Sequence, residues 1–157
     1  MNITEDISPL TEFKRESARM IARIKETGRP QILTVNGNEL PGEILVLGAH
    51  LDSINTNGGG SNTQVAPGAD DDASGVATLT EIIGIALAGG WKPKRTVKFM
   101  AYAAEEVGLR GSNAIAQSFK TAGKNVVGVL QLDMTNYKSG SVADMQLITD
   151  YSNAEMK

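Results

Sequence analysis

The spacing of apolar and polar positions changes several times along the chain, and each change marks an element. Leu10, Phe13, Ser17, Met20, Ile21 and Ile24 recur at helical spacing, with Lys14, Arg15, Glu16 and Arg19 between them. That pattern predicts an amphipathic helix over residues 8–25. Ser8 suits its N-cap and Pro9 its first turn, while Gly28 and Pro30 end it. Two strand-like runs follow, at 31–35 and 43–48, joined by the turn-rich Asn36-Gly37-Asn38-Glu39-Leu40-Pro41-Gly42. They are expected to form a hairpin. Ile44-Leu45-Val46-Leu47 shows no polar alternation, as expected of a strand covered on both faces.

Residues 53–69 read as a long loop with Gly58-Gly59-Gly60 in its middle. A loop longer than about 12–15 residues in a compact domain is usually functional or disordered. A helix is predicted over 74–87, with Val76, Leu79, Ile82, Ile83, Ala86 and Leu87 as its apolar stripe and Gly89-Gly90 as its stop. A strand at 96–103, a short helix at 109–119, an apolar strand at 126–132 and a last strand at 145–149 complete the reading. Strands alternating with helices indicate an α/β domain. The expected architecture is a three-layer sandwich, its sheet mixed and mainly parallel, flanked by helices. The early hairpin supplies the antiparallel part.

In open α/β sheets, chemistry sits beyond the carboxyl ends of the strands. His50 and Asp52 follow the first buried strand, Glu105 and Glu106 the next, and Asp133 the third; Asp70-Asp71-Asp72 precedes the central helix. So many carboxylates on one rim repel one another, and a bound divalent cation relieves the repulsion. A histidine among carboxylates favours Zn²⁺, Mn²⁺ or Co²⁺ over Ca²⁺ or Mg²⁺. Two cations suit such a site better than one, because a carboxylate can bridge them. Asp52, two residues beyond His50, is placed to accept the imidazole's other N–H.

Composition narrows the chemistry. The 157 residues hold a single histidine and no cysteine, which excludes disulfides, cysteine-zinc modules and thiol nucleophiles. Any metal site must be mostly carboxylate. A net charge of −3 and only three Phe, three Tyr and one Trp argue against a nucleic-acid partner. No apolar run reaches the ~18–20 residues of a membrane span, so no membrane partner is expected. Glu5 and Asp6 stand where an export signal would be positively charged.

One rival motif is close. Asp70, Asp72, Ser74, Gly75, Thr78 and Glu81 fall at positions of a calcium-binding EF-hand loop. Its context is wrong: Gln64-Val65-Ala66-Pro67-Gly68 is no helix leading in, and Glu81 lies inside an amphipathic helix. The glycine run at 58–60 lacks the Gly-Lys-Ser/Thr of a phosphate loop.

Four motifs together carry a resemblance. They are Gly48-Ala49-His50-Leu51-Asp52-Ser53; Ala66-Pro67-Gly68-Ala69-Asp70-Asp71-Asp72-Ala73-Ser74-Gly75; Ala103-Ala104-Glu105-Glu106-Val107-Gly108-Leu109-Arg110-Gly111-Ser112; and Leu130-Gln131-Leu132-Asp133-Met134-Thr135-Asn136-Tyr137. The chain resembles, over about residues 43–150, the secreted bacterial leucyl aminopeptidases. These are two-zinc exopeptidases of the glutamate carboxypeptidase II-like superfamily. The resemblance implies a zinc-dependent aminopeptidase that removes N-terminal, hydrophobic residues from peptide substrates. It implies that His50 and Asp133 hold one zinc, that Asp71 bridges both zincs and that Glu106 holds the second. Glu105 would be the general base for the attacking water, and Asp52 would orient His50. It also implies a cis peptide bond after Asp71 and an extracellular location.

The resemblance further implies a fifth protein ligand, a second histidine, which this sequence does not contain. The chain is therefore expected to be a single, incomplete catalytic domain, with an N-terminal helix within residues 1–28 and a motif-bearing core at 43–150. At least one zinc is expected, with weak or absent hydrolysis and homo-oligomers forming through uncovered sheet edges. The alternative is a catalytically dead metal-binding or interaction domain that keeps the peptidase fold.

Overall fold

A computed structural model describes residues 7–9, 31–56, 65–138 and 140. Among the described residues five strands and two helices follow in this order: β1 (Ile7–Pro9), β2 (Gln31–Val35), β3 (Leu40–His50), α1 (Ala73–Ala88), β4 (Arg95–Tyr102), α2 (Arg110–Thr121) and β5 (Asn125–Gln131). The sheet order is β1-β2-β4-β3-β5. β4, β3 and β5 are mutually parallel, β2 runs antiparallel to β4, and β1 is parallel to β2. The α/β, mixed and mainly parallel architecture is as the sequence predicts. Among the described residues, no helix is long and apolar enough to cross a membrane.

The chain steps from β3 to β4 in one direction, then returns past β3 to reach β5. Right-handed crossovers in opposite directions put their helices on opposite faces. The two cores agree. Leu79 and Ile83 of α1 meet Leu33, Val35, Ala49, Val97 and Phe99 on one face. Ile115 of α2 meets Ile32, Ile44, Val46, Met100 and Tyr102 on the other. β3 contributes to both, which explains its unbroken apolar run.

Three expectations change. The run at 31–35 and the following strand form no hairpin: β4 lies between them. The connecting turn docks on the start of β4 instead. Asn38 N–H donates to the Pro93 carbonyl at 3.0 Å, Leu40 N–H to that of Lys94 at 2.8 Å, and Gly37 N–H to Thr96 Oγ1 at 3.1 Å. A Cβ on Gly37 would stand 2.6 Å from the Lys94 carbonyl oxygen, so only glycine passes there. The antiparallel part of the sheet is thus the β2–β4 pair.

Ser8 and Pro9, expected to open a helix, belong to β1. β1 is an edge of the described sheet, where a proline lacking its N–H is tolerated. The rest of the expected helix, the middle of the 53–69 loop and the expected strand at 145–149 lie outside the described residues. The third change concerns β5. The sequence reads as a buried strand, yet Val127, Val129 and Leu130 are 40%, 54% and 43% exposed. β5 pairs with β3 on one side and is the other edge of the described sheet.

Candidate metal centre

Because β3, β4 and β5 are parallel, their carboxyl ends share one rim, and the polar residues singled out in the sequence stand there. His50 is the last residue of β3 and pairs with Tyr102 of β4. Its imidazole is wholly buried. Nδ1 lies 2.9 Å from the backbone carbonyl oxygen of Asp52. A carbonyl can only accept, so Nδ1 carries the proton and Nε2 presents its lone pair. Nε2 is buried and has no hydrogen-bond partner. Around it stand Asp71 Oδ1 at 2.9 Å, Asp133 Oδ2 at 3.8 Å and Glu105 Oε2 at 3.9 Å. The approach of Asp71 is close but not aligned for a hydrogen bond.

One ligand atom each from His50, Asp71 and Asp133 falls within 4.8 Å of the others. A buried nitrogen lone pair with no donor, facing carboxylate oxygens, is what a cation completes. The residues therefore fit a divalent metal.

Asp52 acts differently from the sequence expectation. Its main-chain carbonyl, not its carboxylate, fixes the imidazole. The carboxylate, 3.7 Å from Nδ1, accepts the backbone N–H groups of Glu105 at 3.0 Å and Glu106 at 3.1 Å. It thus ties the end of β4 to the end of β3. The Glu pair sits on a tight turn in which Ala104 has φ 58° and the Gly108 and Leu109 amides return to the Glu105 carbonyl. Gly111 closes the turn against Ala103, whose carbonyl oxygen a Cβ would meet at 2.2 Å.

The central helix starts at Asp72, whose carboxylate caps it by accepting Gly75 N–H at 3.0 Å. The Asp71-Asp72 peptide bond is cis, as the resemblance implies. Asp72 is 1% exposed and also accepts the backbone N–H of His50 at 2.9 Å. In the sequence Asp72 reads only as part of the acidic run on the rim, and Ser74 only as a position of the rival calcium loop. The Asp-Ala-Ser-Gly run, an N-cap signature, was the signal. These bonds also dispose of the calcium loop, since Asp72 and Ser74 are engaged by backbone amides and Glu81 is exposed on α1.

The electrostatics are those of crowded like charges. Burial pushes Glu105 above the ordinary carboxylate range, and Glu106, Asp52 and Asp71 add to it against the pull of His50. Burial also raises Glu106, with Asp71 next. Burial raises Asp133, reinforced by Asp72 and opposed by His50. For His50, burial pulls the pKa down, but Asp72, Asp133, the Asp52 carbonyl and Glu105 together carry it above 6.5. Carboxylates raised by burial and by one another, around a histidine held in their field, suit added positive charge.

The chain is 42% identical over 124 residues to a probable leucine aminopeptidase of the fungus Arthroderma otae; the match covers 74% of this chain and 33% of that protein. The chain thus spans about a third of the length of the curated relatives it matches. Among solved structures, LapB of Legionella pneumophila superposes with a TM-score of 0.57 at 31% identity, over 82% of this chain and 37% of that one. An aminopeptidase from Aneurinibacillus sp. strain AM-1 gives 0.55 at 33% identity, over 68% of this chain and 24% of that one. The likeness thus reaches fungal as well as bacterial proteins. Residues 32–156, which span β2 to β5 and every residue of the metal centre, match peptidase family M28, and the chain belongs to that family.

Proposed function

We propose that this chain carries most of a zinc aminopeptidase centre, acting on peptides with a hydrophobic N-terminal residue. The observation that carries the reading is the buried, unpartnered His50 Nε2 facing Asp71, Asp133 and Glu105. The names of the matched relatives, leucine aminopeptidase and aminopeptidase, support the substrate class. His50, Asp71 and Asp133 would hold one zinc ion, and Asp71 and Glu106 would face a second. When bound, zinc supplies Lewis-acid polarisation of the scissile carbonyl and acidifies water.

The chain's own residues do the rest. Glu105 is the general base: it takes the proton of the attacking water and delivers it to the leaving amine. Its elevated pKa suits both halves of that transfer. Asp52 holds Glu105 in place through its backbone N–H and fixes the His50 ring through its own carbonyl. The one histidine of the sequence serves the first position, and Asp71 and Glu106 face the second with carboxylates.

The test is hydrolysis of a leucyl anilide by the zinc-loaded chain, beside Glu105→Gln. The expected result is a measurable rate that falls about 10²–10⁴-fold in the variant with zinc content unchanged. Zinc binding with no hydrolysis dependent on Glu105 would identify a metal-binding domain instead.

A further inference from the structure

The loop after β5 is exposed. Asp133, Met134 and Thr135 face solvent, β5 is an edge of the described sheet, and the ladder ends where Leu132 N–H donates to the Gly48 carbonyl at 2.8 Å. Yet this loop carries a metal ligand, whose position must be held to fractions of an ångström. Its three next amides are all taken up by one segment. Met134 N–H donates to Asp72 Oδ1 at 3.3 Å, Thr135 N–H to Ser74 Oγ at 2.8 Å, and Asn136 N–H to Asp70 Oδ1 at 3.2 Å. Successive donors thus meet alternate acceptors, and the residue skipped beside His50 is Asp71.

The same segment grips the other ligand strand. Asp72 Oδ2 accepts His50 N–H at 2.9 Å, while its Oδ1 also caps α1 at Gly75. Ser74 is locked in turn, because its hydroxyl donates to the Asp70 carbonyl at 2.7 Å. Thr78 and Thr135 add a hydroxyl contact at 3.1 Å. The site's carboxylates therefore divide by task. Asp71 and Asp133 face the metal position, whereas Asp70 and Asp72 face backbone amides.

We propose that Asp70, Asp72 and Ser74 are positioning residues: a clamp that fixes Asp133 against His50 and so sets the affinity of the metal position. This rests on the metal-centre reading above. Residues that orient metal ligands through hydrogen bonds are worth about 10–100-fold in metal affinity.

The test is zinc affinity of the full chain by competition with a chromophoric chelator, with the visible spectrum of the Co²⁺-substituted protein as a second readout. Asp72→Asn keeps one acceptor oxygen and turns an NH₂ toward an N–H donor, so it should weaken zinc by about 10–100-fold. Ser74→Ala removes the acceptor of Thr135 N–H together with the donor to the Asp70 carbonyl, and should weaken zinc by about 10-fold with a shifted Co²⁺ spectrum. Thr80→Ala, which removes an exposed hydroxyl contact within α1, should change neither. A purely structural cap would lower the melting temperature and leave zinc affinity and spectrum alone. Wild-type affinity and spectrum in both Asp72→Asn and Ser74→Ala would overturn the clamp; should Asp72→Asn not fold, Ser74→Ala alone decides. A wild-type chain that takes up no zinc would instead defeat the metal centre itself, and the clamp with it.

Discussion

β3 and β5 lie side by side, read alike in sequence and each lead to a proposed metal ligand, yet they are held in opposite ways. Both are apolar runs, with His50 ending β3 and Asp133 following β5. β3 has strands on both sides and a core on each face, so His50 is 1% exposed. β5 has one strand neighbour among the described residues, and its apolar side chains face outward. Val46 and Val129 are register partners, 5% and 54% exposed. Identical side chains at one level of the sheet therefore do different work. The proposed metal position is flanked on the β3 side by the packed His50, and on the β5 side by Asp133, whose following amides bond to residues 70–74.

The largest expected consequence is for stability. Val46→Ala removes buried methyls from the α2-side core and should cost about 2–3 kcal/mol. Val129→Ala, across the ladder, should cost less than about 0.5 kcal/mol. Urea denaturation of both variants measures the contrast, and equal costs would break it.

A smaller effect concerns pH. In the metal-free protein the folded-state pKa values of Asp133, Glu105 and Glu106 are raised, as is that of His50 above 6.5. A raised folded pKa means that the folded chain binds protons more tightly than the unfolded one. The stabilisation is full below the unfolded pKa and is lost as pH rises through the folded value. For the carboxylates that loss begins in the ordinary carboxylate range and runs upward from it, and for His50 it begins near 6.5. Metal-free protein should therefore melt a few degrees lower at about pH 8 than at about pH 6. Zinc, by pairing with the same carboxylates and with neutral His50, should narrow or reverse the difference. A metal-free melting temperature that rises with pH would contradict the charge crowding. Hydrogen exchange along the same pH series would locate the weakness, expected in β5 before β3.

Much of this was legible in the sequence because it depends on local pattern. The helix at α1, the strands β3 and β4 and the placement of His50, Asp52, the Glu pair and Asp133 at strand ends follow from periodicity and from the rule for open α/β sheets. What failed depends on partners distant in sequence. Nothing in 31–48 announces that Gly37 will let the chain cross the start of β4, so adjacent strands read as a hairpin. Nothing in 126–132 distinguishes an edge from a centre, since burial is decided by neighbours. Asp70 and Asp72 read as members of an acidic run, because the amides of His50, Met134 and Asn136 that they accept lie 22 or more residues away. Asp52 reads from the sequence as a rim residue, but whether its carbonyl or its carboxylate turns to the ring is a matter of backbone geometry.

The most direct measurement is a zinc titration of the wild-type chain, His50→Ala and Asp133→Ala under one competing chelator. The account predicts one tightly held zinc in the wild type, weakened at least about 100-fold by either variant, although the end of β3 and the loop after β5 have such different support. Zinc held with wild-type affinity after loss of His50 would contradict it.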